Sequence, residues 1–394
     1  MSAVPSCAID FYGPDTIADP VTAYHKMLSL GPIVRLEPLG MTAICGHAAV
    51  TQILRDHRGF RSGKGVSVDE NVNRILIGST LNSDPPDHDR TRAITYAPLS
   101  PKALAGVRAR IEKEANIIAD RVVGQGEFDA AAELAPHIPL TIVRDLVGLG
   151  DGGHDHMLSW GAATFELMGD PGERRADAQA RLGQMRAFLE DPQTHDRLTP
   201  DGWARQATEK GIAAGIPPAR AMELMRDYIP PSLDTTISAI GFAIHLFARH
   251  PDQWHKLRAD RSLIKNAIEE IVRLNTPIRA FTRHVAETTT VAGVKLTGGS
   301  RVLVVFGAAN RDPAHFPDPD RFDITRSTRG HLGFGHGVHS CLGMHLARLE
   351  ISCLLNALAD RVTGFEATGP AIPAVNATIH AFAQVPVRAI KARS

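Results

Sequence analysis
The sequence predicts a mainly α protein with small β-sheets, folded as one large domain over residues 1–394. Three observations carry this. Apolar residues recur at helical spacing through most of the first 275 residues. Strand-like alternation is confined to one stretch near the N-terminus and one cluster after residue 280. Proline and glycine are spread along the chain and nowhere gather into a linker.

Taken in order, PIVRLEPLGMTAICG (32–46) reads as a hairpin. SPKALAGVRARIEKEANIIADRVV (100–123) opens on Ser-Pro, a helix start, and keeps apolar residues on one face. YIPPSLDTTISAIGFAIHLFARHP (228–251) reads as a long helix. Its Pro230 and Pro231 would kink it and free the carbonyls of Arg226 and Asp227. SLIKNAIEEIVRLNTP (262–277) is a helix stopped at Pro277. TRHVAETTTVAGVKLTGGSRVLVVF (282–306) gives several short strands. A polar, proline-rich meander, NRDPAHFPDPDRFD (310–323), then leads to FGHGVHSCLG (334–343) and a last helix.

Composition narrows the function classes. Lys and Arg total 43 against 43 Asp and Glu, with no polybasic run. Neither nucleic acid nor an anionic lipid surface is therefore an expected partner. The most apolar helical stretch, ISAIGFAIHLFA (237–248), is too short to cross a bilayer and contains His245. The N-terminal MSAVPSCAIDFYGPDTIADP has no basic region followed by an apolar run, so no signal peptide is expected. A cytoplasmic monomer is the expectation. The four cysteines are too scattered for a disulfide framework. Cys7, Cys45 and Cys353 read as buried structural thiols.

Cys341 reads differently. Gly335 and Gly337 let the chain turn back under it, and Gly343 lets the next helix approach something flat and bulky. A backbone wrapped around a thiolate aims N–H groups at the sulfur and tunes a bound metal. One thiolate without a companion protein ligand suits a metal already held by a macrocycle, as in a cysteine-ligated haem.

The pattern Phe-Gly-x-Gly-x-His-x-Cys-x-Gly, at Phe334, Gly335, Gly337, His339, Cys341 and Gly343, resembles the signature of bacterial cytochrome P-450 monooxygenases. HLARLE after it has the family's form as well. The resemblance covers nearly the whole chain. It implies haem b (iron protoporphyrin IX) between the long central helix and the helix of the cysteine loop. By the same resemblance Cys341 is the iron ligand. His88 and Arg92 in DPPDHDRTR, Arg283 in PIRAFTRHV, and His339 match propionate-binding positions. Glu270 and Arg273 match a buried pair completed by a meander arginine, here Arg321. Asp234 and Thr235 match the acid–alcohol pair that manages proton delivery. The family has Ala or Gly, then Gly, where Pro231 and Ser232 stand here.

The resemblance is nearest to the branch that oxidises para-substituted benzoates and methoxyphenols. It implies hydroxylation or oxidative O-demethylation of a small aromatic with O2. Lys64 and Ser67 match residues that hold a substrate carboxylate, and Phe165, Met168, Phe281 and Ile379 match pocket positions. Electrons would come from a separate donor, a ferredoxin with its NAD(P)H reductase, contacting Arg90 and Arg348. Two rival readings keep the same haem. One is a peroxide-driven peroxygenase. The other, of a different class, is a haem-thiolate sensor that binds ligands without turnover.

Overall fold
The computed structural model describes residues 4–150 and 152–392. The first three residues of the N-terminal stretch discussed above lie outside the described part. The chain is mainly helical with small sheets. The expected hairpin forms from β2 (Ile33–Leu36) and β3 (Met41–Ile44). They join β1 (Ser6–Cys7), β4 (Phe60–Arg61), β5 (Ala280–Val285) and β6 (Arg301–Val305) in a sheet of order β1-β2-β3-β6-β5-β4. The β1–β2 and β3–β6 pairs are parallel and the rest antiparallel. On β5, Phe281 and Arg283 share one face because strand side chains alternate. Their partners on β6 are Val304 and Val302. A three-stranded sheet, Val362–Ala367, Pro386–Lys391 and Glu127–Asp129, and two short hairpins complete the β-structure.

The helices that position the site are α1 (Asp87–Tyr96), α2 (Arg108–Gln125), α3 (Met157–Met168), α4 (Asp234–Arg249), α5 (Ile264–Asn275) and α6 (Met344–Arg361). In the packed core α6 lies against α2 and α5, and α4 lies against α5. The helix expected over 100–123 is divided: Pro101–Leu104 forms one turn, and α2 starts at Arg108. The end of α5 follows its sequence signal. Thr276 takes φ 43°, closes the helix through its N–H to Val272 O at 2.8 Å, and precedes Pro277.

One element departs clearly from the sequence expectation. The helix expected to run from Tyr228 begins only at Asp234. A 3₁₀ turn, Glu223–Asp227, comes before it, and residues 228–233 are turns. Pro230 and Pro231 lack the N–H groups that would join the two pieces. The α-type bonding of α4 opens with Ile237 N–H to Leu233 O at 3.0 Å. Asp234 thus stands in the first turn, where a helix favours negative charge.

Candidate active site
The cysteine loop is closed by Cys341 N–H donating to Phe334 O at 2.7 Å. Gly335 and Gly337 have φ of 68° and 72°, the left-handed region. At Gly337 a Cβ would sit 2.3 Å from Leu54 O, so only glycine fits there. The backbone N–H groups of Gly343 and Met344, at the start of α6, point at the Cys341 sulfur. Burial pushes this thiol up, while those amides and the charges of Arg92 and Arg348 pull the other way. A bound cation would add to those amides and charges in favouring the thiolate. Among the described residues no cluster of three His, Cys, Asp or Glu could hold a metal by itself.

Above the sulfur lies a cavity of about 250 Å³ that opens in part to solvent. The cysteine loop and the first turns of α6 bound one side, and α4 bounds the other with Thr235, Thr236 and Ala239. Gly343 leaves open space where a side chain would stand, with no atom within 4 Å of a built Cβ. Cationic and donor groups gather at one edge. Arg283 is buried and donates only to Thr282 O, at 2.8 Å, and burial lowers its pKa to about 10. Arg92 is half-buried and donates to Ser340 O at 2.7 Å. His339 is held neutral by burial and by Arg283, His88 and Arg92, and its buried Nε2 has no partner. His88 stands against it, ring centroids 4.5 Å apart, with Nδ1 on Asp89 at 2.9 Å and Nε2 unpartnered. A buried arginine and two orphaned imidazole nitrogens beside an open glycine fit a flat macrocycle bearing two carboxylates.

Behind the loop, Glu270 and Arg273 are fully buried and bonded twice, at 2.7 and 2.9 Å. Arg273 also donates to Asn310 O and Pro319 O, both at 2.8 Å. Arg321 is not the third member. Its side chain is 63% exposed and faces Asp323 at 3.3 Å. Arg326 occupies the place, with Nε 3.0 Å from Glu270 Oε1 and a side chain only 12% exposed. The meander turns at Asp318, φ 46°, with Arg321 N–H on Asp318 O at 3.1 Å; beyond this turn Arg321 faces outward and Arg326 inward.

Thr235 faces the cavity and donates to Pro231 O at 3.1 Å. Asp234 turns instead toward α3. A Cβ on Gly161 would lie 2.8 Å from Asp234 Oδ2, an oxygen buried without a partner. Burial raises the Asp234 carboxyl to about 7.

Phe165 and Met168 of α3 and Phe281 of β5 line the cavity. Ile379 does not; it packs behind, bridged to Ile278, which takes the lining position. Neither proposed carboxylate anchor reaches the cavity. Lys64 is exposed, and its carbonyl accepts from Arg301 at 2.8 Å. Ser67 is buried, and its hydroxyl is consumed by Leu167 O at 3.1 Å and Asp69 N–H at 3.0 Å. Arg348, expected at the electron-donor surface, is committed to Glu269 at 2.6 and 2.9 Å and lies over the Phe334 ring at 4.5 Å. Arg90 donates to Ala214 O.

Sequence reasoning passed over three lining residues with acidic or guanidinium side chains: Arg226, Asp227 and Glu350. Glu350 was legible. Gly343, Ala347 and Glu350 follow the i, i+4, i+7 spacing of one helix face, so a carboxyl on the glycine's face was implied. Both its oxygens are buried without partners, and burial drives its pKa well upward. Arg226 and Asp227 gave no such signal, because their segment read as helix rather than turn.

Comparison with known proteins fits this geometry. The sequence profile of the family described as Cytochrome P450 matches residues 227–361. Cytochrome p450 CYP199A2 of Rhodopseudomonas palustris is 34% identical over 394 residues, 98% of this chain and 95% of that protein. The 6-deoxyerythronolide B hydroxylase of Saccharopolyspora erythraea is 30% identical over 382 residues, 92% of each chain. The solved structure of cytochrome P450 CYP109Q5 from Chondromyces apiculatus superposes with a TM-score of 0.82 at 25% identity, covering both chains fully. With a lone thiolate under a cavity edged by carboxylate-binding donors, the chain belongs to the cytochrome P450 family of haem b-dependent monooxygenases.

Proposed function
We propose that this protein inserts one oxygen atom from O2 into a small substituted aromatic compound, by hydroxylation or by oxidative O-demethylation of an aryl methyl ether. The observation that carries this reading is the apolar wall contributed by Phe165, Met168 and Phe281 to the cavity that Thr235 also lines. Such a wall suits a flat apolar substrate. The reading treats residues 1–394 as one catalytic domain, working with a separate electron donor, a ferredoxin with its reductase.

Cys341 would hold the iron, steadied by the Gly343 and Met344 amides. Arg92, Arg283 and His339, with His88 behind, would hold the propionates, while Phe334 and Gly335 shape the loop and Gly343 admits the ring. When bound, haem supplies O2 activation by two electrons and two protons, one oxygen atom going to substrate and one to water. The chain's own work is placement and proton control. Asp234, whose carboxyl burial raises to about 7, can hold a proton near neutral pH and suits a proton donor. Thr235, the next residue in the chain, faces the cavity; its hydroxyl, now on Pro231 O, would have to turn to pass a proton inward. The apolar wall keeps water away from the reacting carbon. With an aryl methyl ether, the hydroxylated methyl group collapses to a phenol and formaldehyde.

The test is a spectral binding screen of substituted benzoates and methoxyphenols, followed by product analysis with a surrogate ferredoxin system. Aromatic binding with formaldehyde release supports the reading. A haem that responds to terpenes, fatty acids or macrolides and to no aromatic would contradict it.

A further inference from the structure
Asp227 comes from the turn that the prolines open before α4, and it lines the cavity. Its Oδ1 accepts the Thr80 amide at 3.0 Å. Its Oδ2 is buried and has no partner. Burial pushes this carboxyl upward, against the pull of Thr80, Thr95 and Arg92. Neighbouring Arg226 is already engaged: Nη1 donates to Ile75 O at 2.7 Å, and Glu223 lies 2.6 Å from Nε. A carboxyl with one oxygen unpaired, at the wall of a largely apolar cavity, is the kind of group that fixes ligand orientation.

We propose that Asp227 is the polar anchor of the substrate, and that it selects aromatic compounds bearing a phenolic hydroxyl over aromatic carboxylates. This rests on the aromatic reading above and narrows it. A phenolic hydroxyl donates to a carboxylate and accepts from a carboxylic acid, so it pairs with Asp227 in either protonation state. A benzoate would set a further carboxylate beside Asp227 in desolvated space, in a cavity that Glu350 also lines, and neighbouring carboxyls coexist there only if protons are taken up. Lys64 and Ser67, which would relieve that clash, face elsewhere. An ether lacking the hydroxyl would leave Asp227 unpaired, a cost the site turns into selectivity.

The experiment is equilibrium spectral titration of the haem-loaded full chain with 2-methoxyphenol, 1,2-dimethoxybenzene and 2-methoxybenzoate. Wild type is expected to bind the phenol about tenfold or more tighter than either analogue. In Asp227→Leu that preference should shrink to about twofold. Asp227→Asn keeps the shape and an acceptor but loses the charge. It should retain most of the preference over the diether while its benzoate-to-phenol affinity ratio rises about tenfold. The Asn variant carries the test if the Leu variant does not take up haem. Benzoate binding as tight as phenol binding in wild type overturns the anchor and leaves the aromatic reading intact. So does a selectivity that neither substitution alters. A wild type that responds to none of the three overturns both.

Discussion

The Arg326→Ala substitution removes a guanidinium that donates to Pro317 O at 2.8 Å, Asp318 O at 2.9 Å and Arg321 O at 2.8 Å. It also strips one cation from Glu270, which has no solvent exposure. Arg273 remains on Glu270, so the carboxylate is not left alone. Hydrogen bonds from a charged donor contribute about 1.5–3 kcal/mol each when well made. Breaking a buried ionic cluster by deleting one member costs about 3–5 kcal/mol. The expected loss for Arg326→Ala is therefore about 3–5 kcal/mol. Arg321→Ala removes only an exposed pair, worth about 0–1 kcal/mol. Urea unfolding of the haem-loaded protein, followed by far-UV circular dichroism and by haem absorbance, measures both. The midpoint should fall sharply for Arg326→Ala, with haem released early because the meander supports the cysteine loop, and barely move for Arg321→Ala. Equal losses, or a larger loss for Arg321→Ala, would refute the assignment of Arg326 as the third member of the cluster.

Three further outcomes are expected. Asp234→Asn should slow substrate oxidation by about 100-fold or more. The wild-type rate should decline as pH rises through about 7, where the Asp234 proton is lost, and the variant should lack that limb; a shared pH profile would contradict the proton-donor role. Gly161→Ala should leave helix content unchanged, since Ala favours a helix by about 1 kcal/mol. Its new Cβ would press on Asp234 Oδ2, and turnover should fall by about 10- to 100-fold; unaltered turnover would separate that carboxyl from catalysis. Glu350→Gln should alter the pH dependence of stability. The folded pKa of Glu350 lies above the unfolded value, so its contribution is fully present below the unfolded pKa. As pH rises past that value the unfolded chain releases the proton first, and wild type loses stability until the folded carboxyl also ionises. The variant should match wild type near pH 4 and exceed it near pH 8; a constant difference in urea midpoint would contradict this.

Local signals carried well where one local rule governs. The hairpin at β2 and β3, the stop of α5 before Pro277 and the turn at Gly335 and Gly337 each follow from residues within a few positions. The cysteine loop was readable for the same reason: its chemistry sits in ten consecutive residues. Long-range placement was not readable. Which meander arginine reaches Glu270 depends on the path of the meander, which no periodicity announces. Whether Lys64 and Ser67 face the cavity depends on Arg301 and Leu167, residues far off in the chain. The prolines before Asp234 were visible, but their effect was larger than a kink. They separate Glu223–Asp227 from α4, and this places Arg226 and Asp227 at the cavity instead of within a regular helix.

The central claim is that iron is held by the Cys341 sulfur. The most direct measurement is the reduced carbon-monoxide spectrum, with haem content, of wild type and Cys341→His. The histidine can still bind iron, so the variant should keep haem yet show the spectrum of nitrogen-ligated haem and lose oxidation activity. A variant whose spectrum and activity matched wild type would contradict the account.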